Sequence, residues 1–195
     1  PDFGAHLSEA GGGYTWALNS RLMQLTAWSN DPVADPPAEW FLVQDLASGE
    51  AWSVAPNVHG ARGVAYHVAH GQGYSLIRHR RAGLEVTASW CVDPLVSVKQ
   101  VRLELINRGR RALRLRVVGM AEWMMGANRS ERRTARTSLH RAAGLTALLC
   151  TQRERSGGFG EGTAFLSLDV TADDEADWTC DRRECFDQAG ALVLP

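Results

Sequence analysis

The chain has 195 residues, of which 45% are apolar and 22% charged, a composition typical of a folded domain and unlike that of a disordered chain. No apolar run reaches the length of a membrane-spanning helix. The net charge of −1 is unevenly distributed, because residues 99–155 carry +10 and both flanks are acidic. A basic segment of this kind indicates either nucleic-acid binding or ion pairs with the acidic flanks, and we favour the ion pairs.

The cysteines and the first residue of the chain are used to predict its cellular compartment and whether it is part of a longer protein. Four cysteines are too few for a disulfide framework in a chain of this length, and no second Cys or His pair stands at zinc spacing near Cys180 and Cys185. We therefore expect reduced thiols and a cytoplasmic location. The chain begins with Pro1 and has no leader of the signal type, so we expect a piece of a longer protein.

Short apolar or alternating runs recur about every ten residues, separated by glycine-containing turns. In chain order they predict strands at Glu39–Asp45, Ala65–His70, Tyr74–His79, Leu84–Trp90, Val101–Leu105, Leu113–Val117, Thr134–His140, Leu145–Gln152 and Thr163–Val170. No segment keeps a 3.6-residue period over the length of a helix. The pattern predicts a single all-β sandwich or barrel domain over residues 1–195.

The clearest pattern lies on either side of Asn107-Arg108-Gly109. Residues 101–105 and 113–117 each alternate between apolar and charged side chains, which predicts a β-hairpin with one buried face. The predicted buried residues are Leu103, Leu105, Leu115 and Val117, and the predicted exposed residues are Arg102, Glu104, Arg114 and Arg116. Glu104 would then lie across the ladder from an arginine.

Residues 8–37 mix aromatic side chains with Asn, Asp, Arg and Gln, the types from which sugar sites are built. The other interpretation is that the aromatic residues belong to the core and that Asn30-Asp31-Pro32 is a turn. Gly11-Gly12-Gly13 lacks the remaining residues of a phosphate-binding loop, so it predicts a bend or a close backbone approach. The candidate substrate or domain-interface residues are Arg21, Trp28, Asn30, Asp31 and Gln72.

No catalytic or metal-binding set can be recognised. His67 and His70 would point to opposite faces of a strand, which argues against a metal site. Asp31, Asp35, Glu39 and Glu122 carry carboxylates, but their spacing does not single out an acid and base pair. We therefore predict no catalytic residue and no cofactor in this chain.

A family resemblance adds to this interpretation. The chain resembles the N-terminal β-domain of glycoside hydrolase family 94, formerly glycosyltransferase family 36, and within it the phosphorylase-like region of cyclic β-1,2-glucan synthases. The resemblance rests on residues 11–33, GGGYTWALNSRLMQLTAWSNDPV, and on the shorter matches HGQGY at 70–74, Asp93-Pro94 with Val98-Lys99, Ala121-Glu122-Trp123 and DRRE at 181–184. One position departs from the family pattern, since Ala27 stands where proline is expected.

The resemblance implies an antiparallel two-sheet supersandwich, like that of galactose mutarotases, truncated here at its C-terminus. In the family this domain precedes an (α/α)₆ barrel that carries the general acid and the phosphate-binding residues. The resemblance therefore implies a non-catalytic domain that supports or lines the active site of a parent phosphorylase or glycosyltransferase. The open alternative is a stand-alone carbohydrate-binding module.

The expected partners follow from the same resemblance. They are a β-linked glucan or glucose oligomer and the parent's barrel, with inorganic phosphate as a co-substrate of the complete enzyme and a homodimer left open. We expect no nucleic acid and no membrane contact for this chain. A parent of the cyclic glucan synthase kind would be an inner-membrane protein.

Overall fold

The computed structural model describes residues 2–142, 145–154, 159–169 and 176–194. The chain divides into two compact units, residues 1–122 and residues 123–195. β-Strands dominate both units, so the predicted all-β class is confirmed.

The described part of the first unit contains ten strands. They are β1 (Phe3–Leu7), β2 (Gly13–Ala17), β3 (Gln24–Thr26), β4 (Glu39–Asp45), β5 (Ala51–Ser53), β6 (Tyr66–Gly71), β7 (Tyr74–Arg81), β8 (Leu84–Val92), β9 (Lys99–Asn107) and β10 (Leu115–Ala121). β1, β2 and β3 are neighbours in one sheet, β4 lies between β10 and β5 in a second, and β6 to β9 follow in chain order in a third. All the pairings between these strands are antiparallel.

The core of the first unit lies between the inner faces of the β10-β4-β5 sheet and the β6–β9 sheet. Every second residue of β8, from Leu84 to Trp90, is buried, as the alternation predicts. These side chains pack with Val43 of β4, Trp52 of β5 and Ile77 of β7. Two antiparallel sheets that share such a core form a sandwich.

The second unit contains β11 (Trp123–Gly126), β12 (Ala135–Ala142), β13 (Leu145–Gln152) and β14 (Thr163–Ser167), with 3₁₀ turns at Arg129–Arg133 and Arg182–Glu184. β13 pairs with β12 on one side and with β14 on the other. Gln152 ties the unit together, because its side-chain amide donates to the carbonyls of Met125 and Glu131 at 3.1 Å each.

Most strand predictions are confirmed. Glu39–Asp45 and Leu145–Gln152 have the predicted bounds, and the other runs are strands whose ends differ by a few residues. Two details lie outside the described residues: the turn at 143–144 and the end of the last run at Val170. The sequence patterns missed the strands β1, β2, β3, β5 and β11, none of which is longer than five residues.

The predicted hairpin around Asn107-Arg108-Gly109 is wrong. Both of its strands exist, but β9 pairs with β8 whereas β10 pairs with β4 in another sheet. The connection between them crosses from one sheet to the other. Alternation specifies which side chains are buried and leaves the neighbouring strand unspecified, so it cannot distinguish a hairpin from two strands that face each other across a core.

The predicted burial on these two strands holds in part. Leu103, Leu105 and Leu115 pack against the core cluster, as predicted. Val117 is 43% exposed, because β10 is an edge strand of its sheet in this unit. Arg116 is partly buried and donates to Gln44 Oε1 at 3.1 Å. Across the ladder from Glu104 lies a threonine of β8 rather than an arginine.

The basic segment supplies ion pairs within the first unit, as we favoured. Three of its cations pair with carboxylates of residues 1–98: Lys99 with Glu39, Arg108 with Glu85 at 3.0 Å, and Arg111 with Asp45 at 2.7 Å. The uneven charge of the sequence is therefore partly neutralised when the sheets assemble.

Candidate functional site

Arg21 lies in the turn between β2 and β3. The side-chain oxygen of Asn19 accepts hydrogen bonds from the backbone N–H groups of Arg21, at 3.0 Å, and Leu22, at 2.9 Å. The backbone N–H of Met23 closes the turn on the carbonyl of Asn19. This internally bonded turn leaves the side chain of Arg21 exposed to solvent.

Asn30 and Asp31 lie in the loop between β3 and β4, residues 27–38, which we call the β3–β4 loop. Asp31 Oδ1 accepts hydrogen bonds from the backbone N–H groups of Val33 and Ala34, both at 3.0 Å. These two bonds, with the larger contribution from that of Ala34, lower the pKa of Asp31, so its carboxyl stays ionised. Asn30 adopts a left-handed conformation with φ of 50°. The predicted turn at Asn30-Asp31-Pro32 is thus confirmed.

Trp28 begins the exposed part of this loop. Its indole stacks on the ring of Tyr14, with the centroids 5.2 Å apart and the planes at 11°. Its backbone N–H donates to Gln24 Oε1 at 3.0 Å. Tyr14 is buried, whereas Trp28 remains 43% exposed. One aromatic residue of the block therefore belongs to the core and supports a second that is open to solvent.

The five predicted site residues do not form one constellation. Arg21, Trp28, Asn30 and Asp31 belong to the turn and the loop on either side of β3. Arg21 and Asp31 form no ion pair with each other in the described part of the chain. Gln72 is exposed in the two-residue turn between β6 and β7, on a different sheet.

The triple glycine allows a carboxylate to approach the backbone. A Cβ atom at Gly12 would lie 2.1 Å from Asp35 Oδ1, so a larger residue there would displace this carboxylate. The hydroxyl of Ser8 donates to Asp35 and accepts a hydrogen bond from the backbone N–H of Gly12. The predicted close approach is confirmed, and it fixes the β3–β4 loop to the turn between β1 and β2.

The first unit contains a cleft of 440 Å³ that sequence reasoning did not find. It is lined by residues of β1, β2 and β4 to β9, by residues 54, 55 and 57 after β5, and by glycines of the adjoining turns. Its aromatic residues are His6, Trp16, Phe41, His70, Tyr74 and Trp90, and its charged residues are Glu39 and Lys99.

Glu39 and Lys99 form the polar wall of the cleft. Glu39 Oε1 accepts hydrogen bonds from the hydroxyls of Thr15, at 2.6 Å, and Thr26, at 2.9 Å. Lys99 Nζ donates to Glu39 Oε2 and to the hydroxyl of Thr15. Burial opposes ionisation of Glu39, but the charge and hydrogen bond of Lys99, with the hydrogen bonds from Thr15 and Thr26, together outweigh it, so the pKa of Glu39 is lowered.

This pair left one weak signal in the sequence. Glu39 and Lys99 are 60 positions apart, so no local motif joins them. Lys99, however, is the single lysine among 21 basic residues. An ammonium group on a flexible stem fits a narrow polar site differently from a planar guanidinium. A single lysine among arginines is therefore a weak indication that its position requires an ammonium group.

The described residues contain neither a metal site nor a helix that could span a membrane. Within the ranges that the structure describes, no three His, Cys, Asp or Glu side chains are grouped as metal ligands would be. No helix in those ranges has the length and apolar character needed to span a bilayer.

Comparison with known proteins gives two findings. The model of the glycosyl hydrolase 94 supersandwich domain matches residues 1–195. The cyclic β-(1,2)-glucan synthase NdvB of Rhizobium meliloti (strain 1021) is 35% identical over 193 residues, which are 99% of this chain. The matched part is 7% of the length of that synthase.

Proposed function

This chain belongs to the glycosyl hydrolase 94 family as a supersandwich domain, and we propose that it serves as the non-catalytic sandwich domain of a longer enzyme acting on β-linked glucans. The parent would be a glycosyltransferase or glycoside phosphorylase of the cyclic β-1,2-glucan synthase kind. The similarity to a named glucan synthase over nearly the whole chain supports this substrate class.

The observation that carries the proposal is the exposed surface on either side of β3. Leu18 is 66% exposed, Leu22 52%, Trp28 43% and Val33 94%. Exposed apolar side chains in the turn and the loop that flank one strand indicate that something packs against them. We propose that this surface contacts the mouth of the active site in a helical barrel that follows in the parent.

The polar residues of the same surface suit a sugar. An indole offers a flat apolar face, and amide, guanidinium and carboxylate groups hydrogen-bond hydroxyls. Asp31 would accept hydrogen bonds rather than donate a proton, because its carboxyl is held ionised. In this proposal Trp28, Arg21 and Asn30 contact the glucan or the barrel, and Gln72 makes a separate contact at the turn between β6 and β7.

Catalysis would belong to the barrel. In a phosphorolytic parent, inorganic phosphate would attack the anomeric carbon while an acid of the barrel protonates the leaving oxygen. The sandwich domain would position the glucan chain and exclude water at the mouth of that site. We place the domain on the cytoplasmic side, whether or not the parent is anchored in the inner membrane.

The test is made in the full-length parent. Trp28→Ala and Arg21→Ala are expected to lower activity on β-linked glucan at least tenfold while the melting temperature changes little. Phe165→Ala and Arg102→Ala are matched controls, because Phe165 is 50% exposed and the side chain of Arg102 is 80% exposed on other strands. Early melting with unchanged specific activity of the folded fraction would show that the surface has a structural role, and the proposal would be dropped.

A further inference from the structure

We propose that the 440 Å³ cleft of the first unit is a second saccharide site, which holds a neutral sugar unit of a β-linked glucan apart from the β3–β4 loop. The identity of the sugar rests on the proposed function, whereas the position of the site rests on the cleft itself. Ligand pockets in proteins span about 300–1,000 Å³, so the cleft has the size of a small-ligand site.

Two aromatic rings of the cleft are held in the same way. Trp16 lies opposite Gly4 in the β1–β2 ladder, and a Cβ atom at Gly4 would lie 2.2 Å from Cζ2 of that indole. Tyr74 lies opposite Gly71 in the β6–β7 ladder, and a Cβ atom at Gly71 would lie 2.1 Å from Cε1 of that ring. Each ring therefore occupies the space above a cross-strand glycine. The two glycines therefore leave room for these rings beside the cleft.

The polar wall has a hydrogen-bond donor to spare. An ammonium group has three N–H donors, and Lys99 directs hydrogen bonds to two acceptors, Thr15 and Glu39. No acceptor for the third N–H is found in the described ranges. Because Lys99 lines the cleft with its side chain 14% exposed, this third donor is available to a hydroxyl inside it.

The charge of the wall favours a neutral ligand. The carboxylate of Glu39 neutralises the ammonium of Lys99, so an anion such as phosphate gains little attraction there. A sugar hydroxyl can both donate to the carboxylate and accept from the ammonium. Aromatic rings combined with a neutral but strongly polar pair are what a sugar ring recognises.

The same ion pair argues for binding rather than cleavage. A general acid must hold a proton near neutral pH, whereas Lys99 keeps Glu39 ionised. Tyr74 lines the cleft and is 53% exposed, so the cleft is open to solvent at this ring. A site of this kind would retain a long glucan near the catalytic barrel.

The test measures binding of a linear β-1,2-linked glucose oligomer to the 195-residue chain by calorimetry, with tryptophan fluorescence as a second readout. Tyr74→Ala is expected to weaken binding about tenfold or more, a loss equivalent to about 1.4 kcal/mol. Phe165→Ala removes a ring of similar exposure elsewhere and should leave the affinity unchanged. Because Tyr74 is half exposed, its truncation should leave the fold intact, which circular dichroism checks.

The outcomes separate this proposal from the preceding one. Saturable binding that Tyr74→Ala weakens and Trp28→Ala does not would support the cleft. No saturable binding, or equal affinity in Tyr74→Ala and the unmodified chain, would overturn it. Competition by inorganic phosphate would overturn the assignment of a neutral ligand. Loss of binding only in Trp28→Ala would refute the cleft and leave the proposed function of the β3–β4 loop standing.

Discussion

Lowering the pH from 7 to 5 should destabilise the first unit through one buried histidine. His79 of β7 is 1% exposed, and its Nε2 accepts a hydrogen bond from the indole N–H of Trp52 at 2.9 Å. Its Nδ1 has no hydrogen-bond partner in the described chain. Burial, with a smaller contribution from the charge of Arg81, lowers the pKa of His79 from 6.5 to about 4.

The sign and the size of the effect follow from this pKa. Above pH 6.5 the imidazole is neutral in both the folded and the unfolded chain, and the stability is fully present. Below pH 6.5 the unfolded chain binds a proton that the folded chain does not, so the free energy of unfolding falls with decreasing pH. At 1.36 kcal/mol per unit, the loss is about 2 kcal/mol at pH 5 and about 3 kcal/mol as the pH reaches 4.

Urea unfolding at pH 7, 6 and 5, followed by tryptophan fluorescence, measures this loss. His79→Gln keeps an acceptor for Trp52 but cannot be protonated. Between pH 7 and 5, its free energy of unfolding should therefore fall by about 2 kcal/mol less than that of the unmodified chain. His67→Gln changes an exposed histidine and serves as the control. If the stability of His79→Gln and that of the unmodified chain depended equally on pH, the assignment to His79 would be refuted. A directly titrated pKa near 6.5 for its imidazole would also refute it.

Three further predictions concern stability. In denaturant unfolding, Leu115→Ala should lower the free energy of unfolding by about 2–3 kcal/mol and Val117→Ala by less than about 1 kcal/mol, because of these two residues Leu115 packs on the core cluster and Val117 does not. Equal losses would contradict the described burial of β10. Lys99→Met should lower the free energy of unfolding by about 3 kcal/mol at pH 7, because it leaves a carboxylate that is only 16% exposed without its cation. This loss should shrink in acid as that carboxylate is protonated, and a loss independent of pH would contradict the pairing. Gly4→Ala should lower the free energy of unfolding by about 1–3 kcal/mol and change the tryptophan fluorescence, because the new methyl group displaces the indole of Trp16. An unchanged spectrum and an unchanged stability would show that the ring does not occupy that space.

Local patterns anticipated the strands well where they were long. β8 and β9 each span nine residues, and their alternation shows both the strand and its buried face. β5 has three residues, which are too few to show a period. It is nevertheless a largely buried strand, because it pairs with β4. The partner of β10 could not be deduced, since a strand with one apolar face fits either side of the same core.

The candidate site was anticipated unevenly for a similar reason. Asp31 organises its loop through neighbours two and three positions away, and such local hydrogen bonds are visible in the composition of the turn. The cleft depends on pairs that the fold creates, such as Gly4 with Trp16 across a ladder and Glu39 with Lys99 across two sheets. No spacing rule connects residues brought together in this way.

A structure of the full-length parent with a bound β-linked glucan oligomer tests the central claim most directly. We predict that the β3–β4 loop lies at the mouth of the catalytic barrel, with the exposed indole of Trp28 in contact with the glucan or with the barrel and burying the 43% of its surface that is open in this chain. The claim would be contradicted if Trp28 and Arg21 remained in solvent, away from both the barrel and the sugar.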